Sequence, residues 1–425
     1  MSQITDPKGL FKAEPEVVSC PYPLFDKLRS EQPVYWSESG ECFIVTRYED
    51  IVEIATHPEQ FKSLMPLGPV VARHQAEITN LLLENNSDIS EVIQKRGSSE
   101  NRVLLHADPP DHVHQRRKVS RIFTPRQISK RESDIRRIAN ELVDEFVDEG
   151  RVEMVEEYGV PLPLTVIADY MNVGQEMMSE FKKWSNDFVA ILGKHNMSQE
   201  EMVEVISSQN EFFDYIGELI DKRRGGTEED LVSLVVGAGE DGDNPLSVPE
   251  MLGMLNQFLV AGNETTTKMI VTATRLMIQE ELEGTLRDSP EMIPTFLEEC
   301  LRIEAPVQCL YRQAAQDCRL GGVDIPAGSS LMLTYASGNY DEAHFTNPHE
   351  FRLDRENPTN HLAFGKGEHF CIGASLARLE GRVAFEVLLE RCEEIKLEPS
   401  KNTFEYETSY VLHGLKELHC TFLKR

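Results

Sequence analysis

Along most of this chain apolar residues recur every three or four positions, the period of helices that bury one face. The stretch from Pro109 to Gly237 is mostly of this kind, with acidic residues on its exposed positions. A longer helix is predicted from about Val248 to Glu280, with Ser247 and Glu250 forming a capping box ahead of it. It is unusually apolar between Met251 and Ala261, which suggests a helix buried through the middle of the protein. Shorter helices are predicted over Tyr22 to Ser30 and Pro294 to Glu304, the second stopping before Pro306, and a last long one starts near Gly373. Period-two alternation predicts strands at Val34 to Trp36 and Cys42 to Thr46 around a Ser-Gly turn, short strands across 313–335, and strands closing the chain. Residues 237–247 read as a loop, and 338–369 as a loop-rich segment. From Phe61 to about Val103 the pattern weakens into a long connection, the kind of segment that forms lids and binding loops. No internal repeat or linker stands out, so the fold class is mainly α with a smaller β component, as a single domain over 1–425.

Composition narrows the partners. With 425 residues and 40% hydrophobic content the chain can bury a sizeable core. A net charge of -29 argues against general affinity for nucleic acid or anionic membranes. The opening MSQITDPKGLFKAEPEVV has no basic start followed by an apolar run, and no stretch approaches the roughly 18 apolar residues a bilayer span needs. The expected place is the cytoplasm, without a membrane anchor. The cysteines, at 20, 42, 300, 309, 318, 371, 392 and 420, form no CxxC pair. That leaves zinc-ribbon and thioredoxin-like readings without support, and makes a buried, inert thiol the default for each.

Cys371 departs from that default. It lies in Phe364-Gly365-Lys366-Gly367-Glu368-His369-Phe370-Cys371-Ile372-Gly373, just ahead of a helix. Three glycines in so short a run mean a tightly turned or closely approached backbone. The amides and dipole at a helix start favour thiolate, a soft metal ligand tuned by hydrogen bonds to sulfur. Ala261-Gly262-Asn263-Glu264-Thr265-Thr266 interrupts the long apolar helix with groups that are costly to bury, and a threonine there can bond back to a carbonyl one turn earlier. Glu299 and Arg302 have i, i+3 spacing among Phe296, Leu297, Leu301 and Ile303, so they form a partly buried pair. His112 and Arg116 share one face of a helix that Asp108-Pro109-Pro110-Asp111 starts, with Pro at its first position. From Val113 to Arg131 there is no Asp or Glu, but there are Arg116, Arg117, Lys118, Arg121, Arg126, Lys130 and Arg131. In so acidic a chain this is a local reversal, either a balancing helix face or a docking patch for an acidic protein.

The ten-residue stretch around Cys371 is similar to the signature loop of the cytochrome P450 family, and the likeness runs from about Pro21 to the C-terminus. The resemblance implies a triangular helical prism around haem b, with Cys371 as axial ligand to the iron. Phe364, Gly373 and Ala261 are implied to line the haem, and His112, Arg116, Arg312 and His369 to hold its propionates. It implies proton delivery by Glu264 and Thr265, Thr265 ordering water and dioxygen and Glu264 feeding protons from solvent. Arg355 is implied as third member of the Glu299–Arg302 pair, in a structural role. Val260, Ala261, Val307, Gln308, Val411 and Leu412 are implied to face a hydrophobic small-molecule substrate, with further members in the 61–103 loop.

The implied activity is a monooxygenase that takes dioxygen, with electrons from a ferredoxin-type donor and its reductase docking on the basic patch, no reductase fused, and the protein a monomer. The alternatives are a peroxide-driven peroxygenase, against which Glu264 and Thr265 argue, and a non-catalytic haem-binding protein. Three places depart from the family pattern. Tyr340 stands where many bacterial relatives carry Arg, Leu418 is followed by His419 rather than Pro, and the 61–103 connection is long.

Overall fold

The computed structural model describes residues 6–73, 76, 102–193, 198–240 and 245–425; most of the 61–103 connection, with its expected substrate contacts, lies outside the described residues. The strands are β1 (Val34–Ser37), β2 (Cys42–Val45), β3 (Phe61–Lys62), β4 (Arg151–Glu153), β5 (Leu310–Ala314), β6 (Cys318–Leu320), β7 (Val323–Ile325), β8 (Ser330–Leu333), β9 (Cys392–Leu397) and β10 (His419–Lys424). They make a five-stranded sheet in the order β1-β2-β8-β5-β3, a three-stranded sheet β4-β10-β9 and the hairpin β6-β7. In the largest sheet β2 and β8 run parallel, Cys42 opposite Ser330, while the other neighbours are antiparallel.

The longer helices are α1 (Tyr22–Glu31), α2 (Tyr48–Thr56), α3 (Asp111–Ser120), α4 (Glu132–Phe146), α5 (Pro161–Met171), α6 (Met178–Gly193), α7 (Gln199–Arg223), α8 (Leu231–Glu240), α9 (Val248–Gln279), α10 (Ile293–Ile303) and α11 (Ala374–Arg391). No helix among the described residues is long and apolar enough to cross a membrane. The 32-residue α9 carries the expected capping box, in which the Ser247 hydroxyl accepts from the Glu250 amide and the Glu250 carboxylate accepts from the Ser247 amide. It packs against α5, α6, α10 and α11. The helix is buried as expected, most deeply from Thr266 to Met277, where every residue is buried, beyond the apolar 251–261 run. In the first half Gly253, Gln257, Val260, Ala261, Glu264 and Thr265 stay half-buried or exposed. Their three- and four-residue spacing makes them one less buried stripe of the helix. Thr267 donates to the Gly159 carbonyl at 2.8 Å, and a Cβ at Gly159 would lie 2.9 Å from Val271, so a glycine lets this contact close.

Two boundaries differ from expectation. The helix at His112 begins at Asp111, with Pro110 as its cap rather than Pro at its first position. Helix α8 runs on to Glu240 through residues expected to be loop, because the buried Leu231, Val232, Val235 and Val236 anchor it against the core. Tyr340 replaces a charge with packing. Its ring lies 4.8 Å from that of Tyr22, and its hydroxyl donates to the Ile303 carbonyl at 3.0 Å.

Candidate functional site

The loop before α11 is wound by two left-handed glycines, Gly365 at φ 68° and Gly367 at φ 70°. A Cβ at Gly367 would sit 2.1 Å from the Ala55 carbonyl oxygen, so no larger residue fits there. The Cys371 amide donates to the Phe364 carbonyl at 2.8 Å, closing the loop. Gly373 caps α11, and its amide and that of Ala374 face the sulfur. Helix-start chemistry was expected to lower this thiol, but the balance goes the other way. Desolvation pushes it up, and the two amides, Arg116 and Arg378 recover only part of the difference. A thiolate at this position therefore needs a cation against it, as a coordinated metal ion supplies.

Beside the loop, α3, β5 and the Gly367–His369 turn bring together the four expected anion-binding residues. The His112 and His369 rings lie 4.1 Å apart. Both ring nitrogens of His112 and Nε2 of His369 are buried without a hydrogen-bond partner. Burial, with Arg116 and Arg312, lowers His112 to about 4. Burial, with Arg312, His112 and Arg116, lowers His369 to about 2. Both imidazoles are therefore neutral donors at ordinary pH. Arg312 is buried and Arg116 donates to the Phe370 carbonyl at 2.5 Å. Sequence reasoning missed Glu368, whose carboxylate lies 3.4 Å from His369 and 3.9 Å from His112. Together with the two histidines it has the donor set of a metal site, but the guanidiniums nearby disfavour a cation. A buried thiol faced by amides, next to unpartnered imidazole nitrogens and two guanidiniums, fits a haem held by its iron and its carboxylates.

On α9, Thr265 Oγ1 donates to the Ala261 carbonyl at 2.8 Å, the back-bonding its position allows. Glu264 is ion-paired with Lys268 one turn on, and Lys268 Nζ also lies 2.7 Å from Glu407 Oε2. The i, i+4 spacing of Glu264 and Lys268 was a legible signal; Glu407, 139 positions from Lys268, gave none. Thr266 bonds Glu380 of α11, a fully buried carboxyl that burial pushes far up.

Four of the six expected substrate residues come together. Val307 bridges Leu412, the Gln308 amide donates to the Val411 carbonyl at 2.8 Å, and the Ser409 hydroxyl accepts from the Val411 and Leu412 amides. Gln308 is buried with its Nε2 on the Ala305 carbonyl at 2.7 Å, which ties that amide to the backbone. Val260 packs with the main core cluster, while Val411 and Leu412 belong to another.

Glu299 and Arg302 form a buried two-pronged pair, both contacts 2.8 Å, and Arg355 adds its Nε at 2.9 Å from both carboxylate oxygens. A second brace was missed. Glu298 accepts from Arg378 at 2.6 and 2.8 Å and sits 3.1 Å from His361, while the Arg378 guanidinium lies 4.5 Å over the Phe364 ring. It links α10 and α11 to the cysteine loop. Neighbouring acids at 298 and 299 gave no sign that each would take a different arginine.

Comparisons with known proteins converge. The family model described as Cytochrome P450 matches residues 63–420. "Cytochrome P450 109" of Bacillus spizizenii is 31% identical over 403 residues, 94% of this chain and 91% of that protein. "Linalool 8-monooxygenase" of Pseudomonas putida is 30% identical over 410 residues, 95% of this chain and 96% of that protein. The crystal structure of CYP109E1 from Bacillus megaterium in complex with corticosterone has a TM-score of 0.81 at 29% identity, covering 96% of this chain and 99% of that one.

Proposed function

The chain belongs to the cytochrome P450 family, and on that premise we propose that it oxidises a hydrophobic small molecule with electrons from a ferredoxin-type donor. Membership makes it an oxygen-incorporating oxidoreductase whose cofactor is haem b. Bound haem supplies the one-electron chemistry that activates dioxygen; the protein sets ligand, proton supply and pocket. Cys371 holds the iron, and the Gly373 and Ala374 amides steady its sulfur. His112, Arg116, Arg312 and His369 hold the propionates, with Phe364, Gly373 and Ala261 around the ring. Thr265 orders water beside Ala261, and Glu264 supplies it with protons. Val260, Val307, Gln308, Val411 and Leu412 contact the substrate. Glu299, Arg302 and Arg355 brace the core without touching the chemistry.

One observation carries this reading: imidazole nitrogens without a hydrogen-bond partner gather with two guanidiniums beside the amide-faced Cys371 sulfur. The relatives support an apolar substrate, since one is named for oxidising linalool and another holds corticosterone, both largely hydrocarbon. The exposed Arg117, Arg121, Arg126 and Lys130 make the electron-donor surface. The protein works as a monomeric, single-domain enzyme of the cytoplasm. The test is a screen of terpenoids, steroids and fatty acids for the low-to-high-spin shift, followed by turnover of each hit. Product formed with ferredoxin, its reductase and NAD(P)H, and not with hydrogen peroxide alone, is the expected result. Efficient turnover with peroxide alone would make it a peroxygenase, and failure to consume reductant with any of the compounds would leave a haem-binding protein without catalysis.

A further inference from the structure

Lys268 is 3% exposed in the middle of α9, and its one ammonium bonds two carboxylates, Glu264 and Glu407. Its stem lies flat on Gly414. A Cβ there would come within 2.5 Å of Lys268 Cγ and 3.2 Å of Nζ, so the glycine keeps the path open for this side chain. The Glu407 amide donates to the Gly414 carbonyl at 2.9 Å, closing the turn that carries Val411 and Leu412. The two acids are unequal. The Glu264 side chain is 16% exposed, next to Thr265 in the chain, and that of Glu407 is 35% exposed. Burial and the charge of Glu264 push the Glu407 carboxyl up, against Lys268 and Lys416. Burial works against the Lys268 ammonium, but its two carboxylates hold it above its ordinary value. Of the neighbouring charged and titratable groups, His413 feels Glu304, Arg275 and the Lys268 charge, and Lys416, which acts on Glu407, is itself bonded to Glu405 at 3.0 Å. Two carboxylates sharing one ammonium carry a net negative charge, which a single added proton cancels.

We propose that Glu407 and Lys268 are relay residues for Glu264, passing a proton from solvent at Glu407 across the ammonium to the acid beside Thr265. In the step, one Nζ–H proton moves to Glu264 Oε1 as the proton on Glu407 Oε2 moves to Nζ. Lysine is an ammonium before and after, Glu407 ends as carboxylate, Glu264 ends as acid, and solvent reloads Glu407. The proposal rests on reading Glu264 as a proton source. The competing view is an ion triad that only stitches α9 to the 406–415 turn. Arginine separates the two, because it can replace the charge but does not give up a proton in proteins.

The test uses the haem-loaded full chain and E264Q, K268M, K268R and E407Q. Infrared titration of the resting protein reports protonated carboxyls. Substrate-free turnover with ferredoxin, its reductase and NAD(P)H reports the rate of dioxygen reduction, and melting reports folding. The expected infrared result is that E407Q loses one of the protonated-carboxyl bands that persist above the usual carboxylate range, while the band of the buried Glu380 remains. The expected kinetic result is that E407Q and K268R slow dioxygen reduction roughly 10²-fold, as loss of a positioned proton donor does, with K268R melting near wild type. Rescue of the rate by K268R, or survival of every such band in E407Q, overturns the relay. If K268M does not fold, K268R and E407Q still decide. If E264Q reduces dioxygen at the wild-type rate, the reading of Glu264 fails first; if E264Q is slow while E407Q and K268R are not, only the relay fails.

Discussion

Two of the buried clusters of charged and polar side chains in this protein are wired in opposite ways. In the Glu299–Arg302–Arg355 cluster every guanidinium nitrogen of Arg302 is used, on Glu299 and on the Asn339, Pro348 and Glu350 carbonyls. In the His112–His369 cluster three ring nitrogens are buried with no bond at all. An unpaired buried polar atom costs roughly 1–3 kcal/mol, so a fold does not keep three together for its own stability. We read the saturated cluster as built for the chain, and the unsaturated one as built for a ligand that brings its own acceptors.

The comparison breaks most visibly at Arg302. Arg302→Ala leaves Glu299 charged and buried and strips three carbonyls, so a loss of about 3–5 kcal/mol is expected in urea unfolding of the apo protein. A loss under about 1 kcal/mol would mean that the saturated cluster is not structural. Glu298 gives the next effect, through pH. Burial opposes its ionisation, but Arg378 and His361 win and lower it to about 2. Its folded value lies below its ordinary one, so its stabilisation is present above about 4.5 and is lost as pH falls toward about 2. Glu298→Gln should be less stable than wild type at neutral pH by at most about 3 kcal/mol, and the two should converge as acid is added. Parallel stability curves down to pH 2 would contradict the pairing.

The smallest effect on folding belongs to the unsaturated cluster. His112→Ala and His369→Ala should change apo stability by less than about 1 kcal/mol, or raise it, because each removes an unpaired buried group. Each should still speed haem loss about tenfold, the equivalent of one hydrogen bond to a charged acceptor. Haem transfer to an apo-globin scavenger measures this. Strong destabilisation of the apo protein with unchanged haem loss would reverse the roles of the two clusters.

Much of this was legible in the sequence because local rules and tertiary packing agree there. Helix α9 appears within a residue of its expected ends, since Ser247 and Glu250 cap it and its period is unbroken. The Glu299–Arg302 pair was legible from spacing, and Arg355, Arg312 and His369 from the family likeness. Where the two disagree the reading fails. Gly237 reads as a breaker, but the buried face of α8 carries the helix past it. The thiol was expected low from its helix start alone, and desolvation, a property of the fold, reverses the sign. Glu407, Glu380 and Arg378 meet their partners across 139, 114 and 80 positions, a distance over which no sequence period operates.

The central claim is that the Cys371 sulfur is the iron's protein ligand, with the unpartnered cluster at the propionates. The reduced carbonyl spectrum tests it directly. Wild type should show the strongly red-shifted Soret band of thiolate ligation, and Cys371→His, in protein that still binds haem, should lose it. A red-shifted band that persists in Cys371→His would place the ligand on another cysteine and contradict the account.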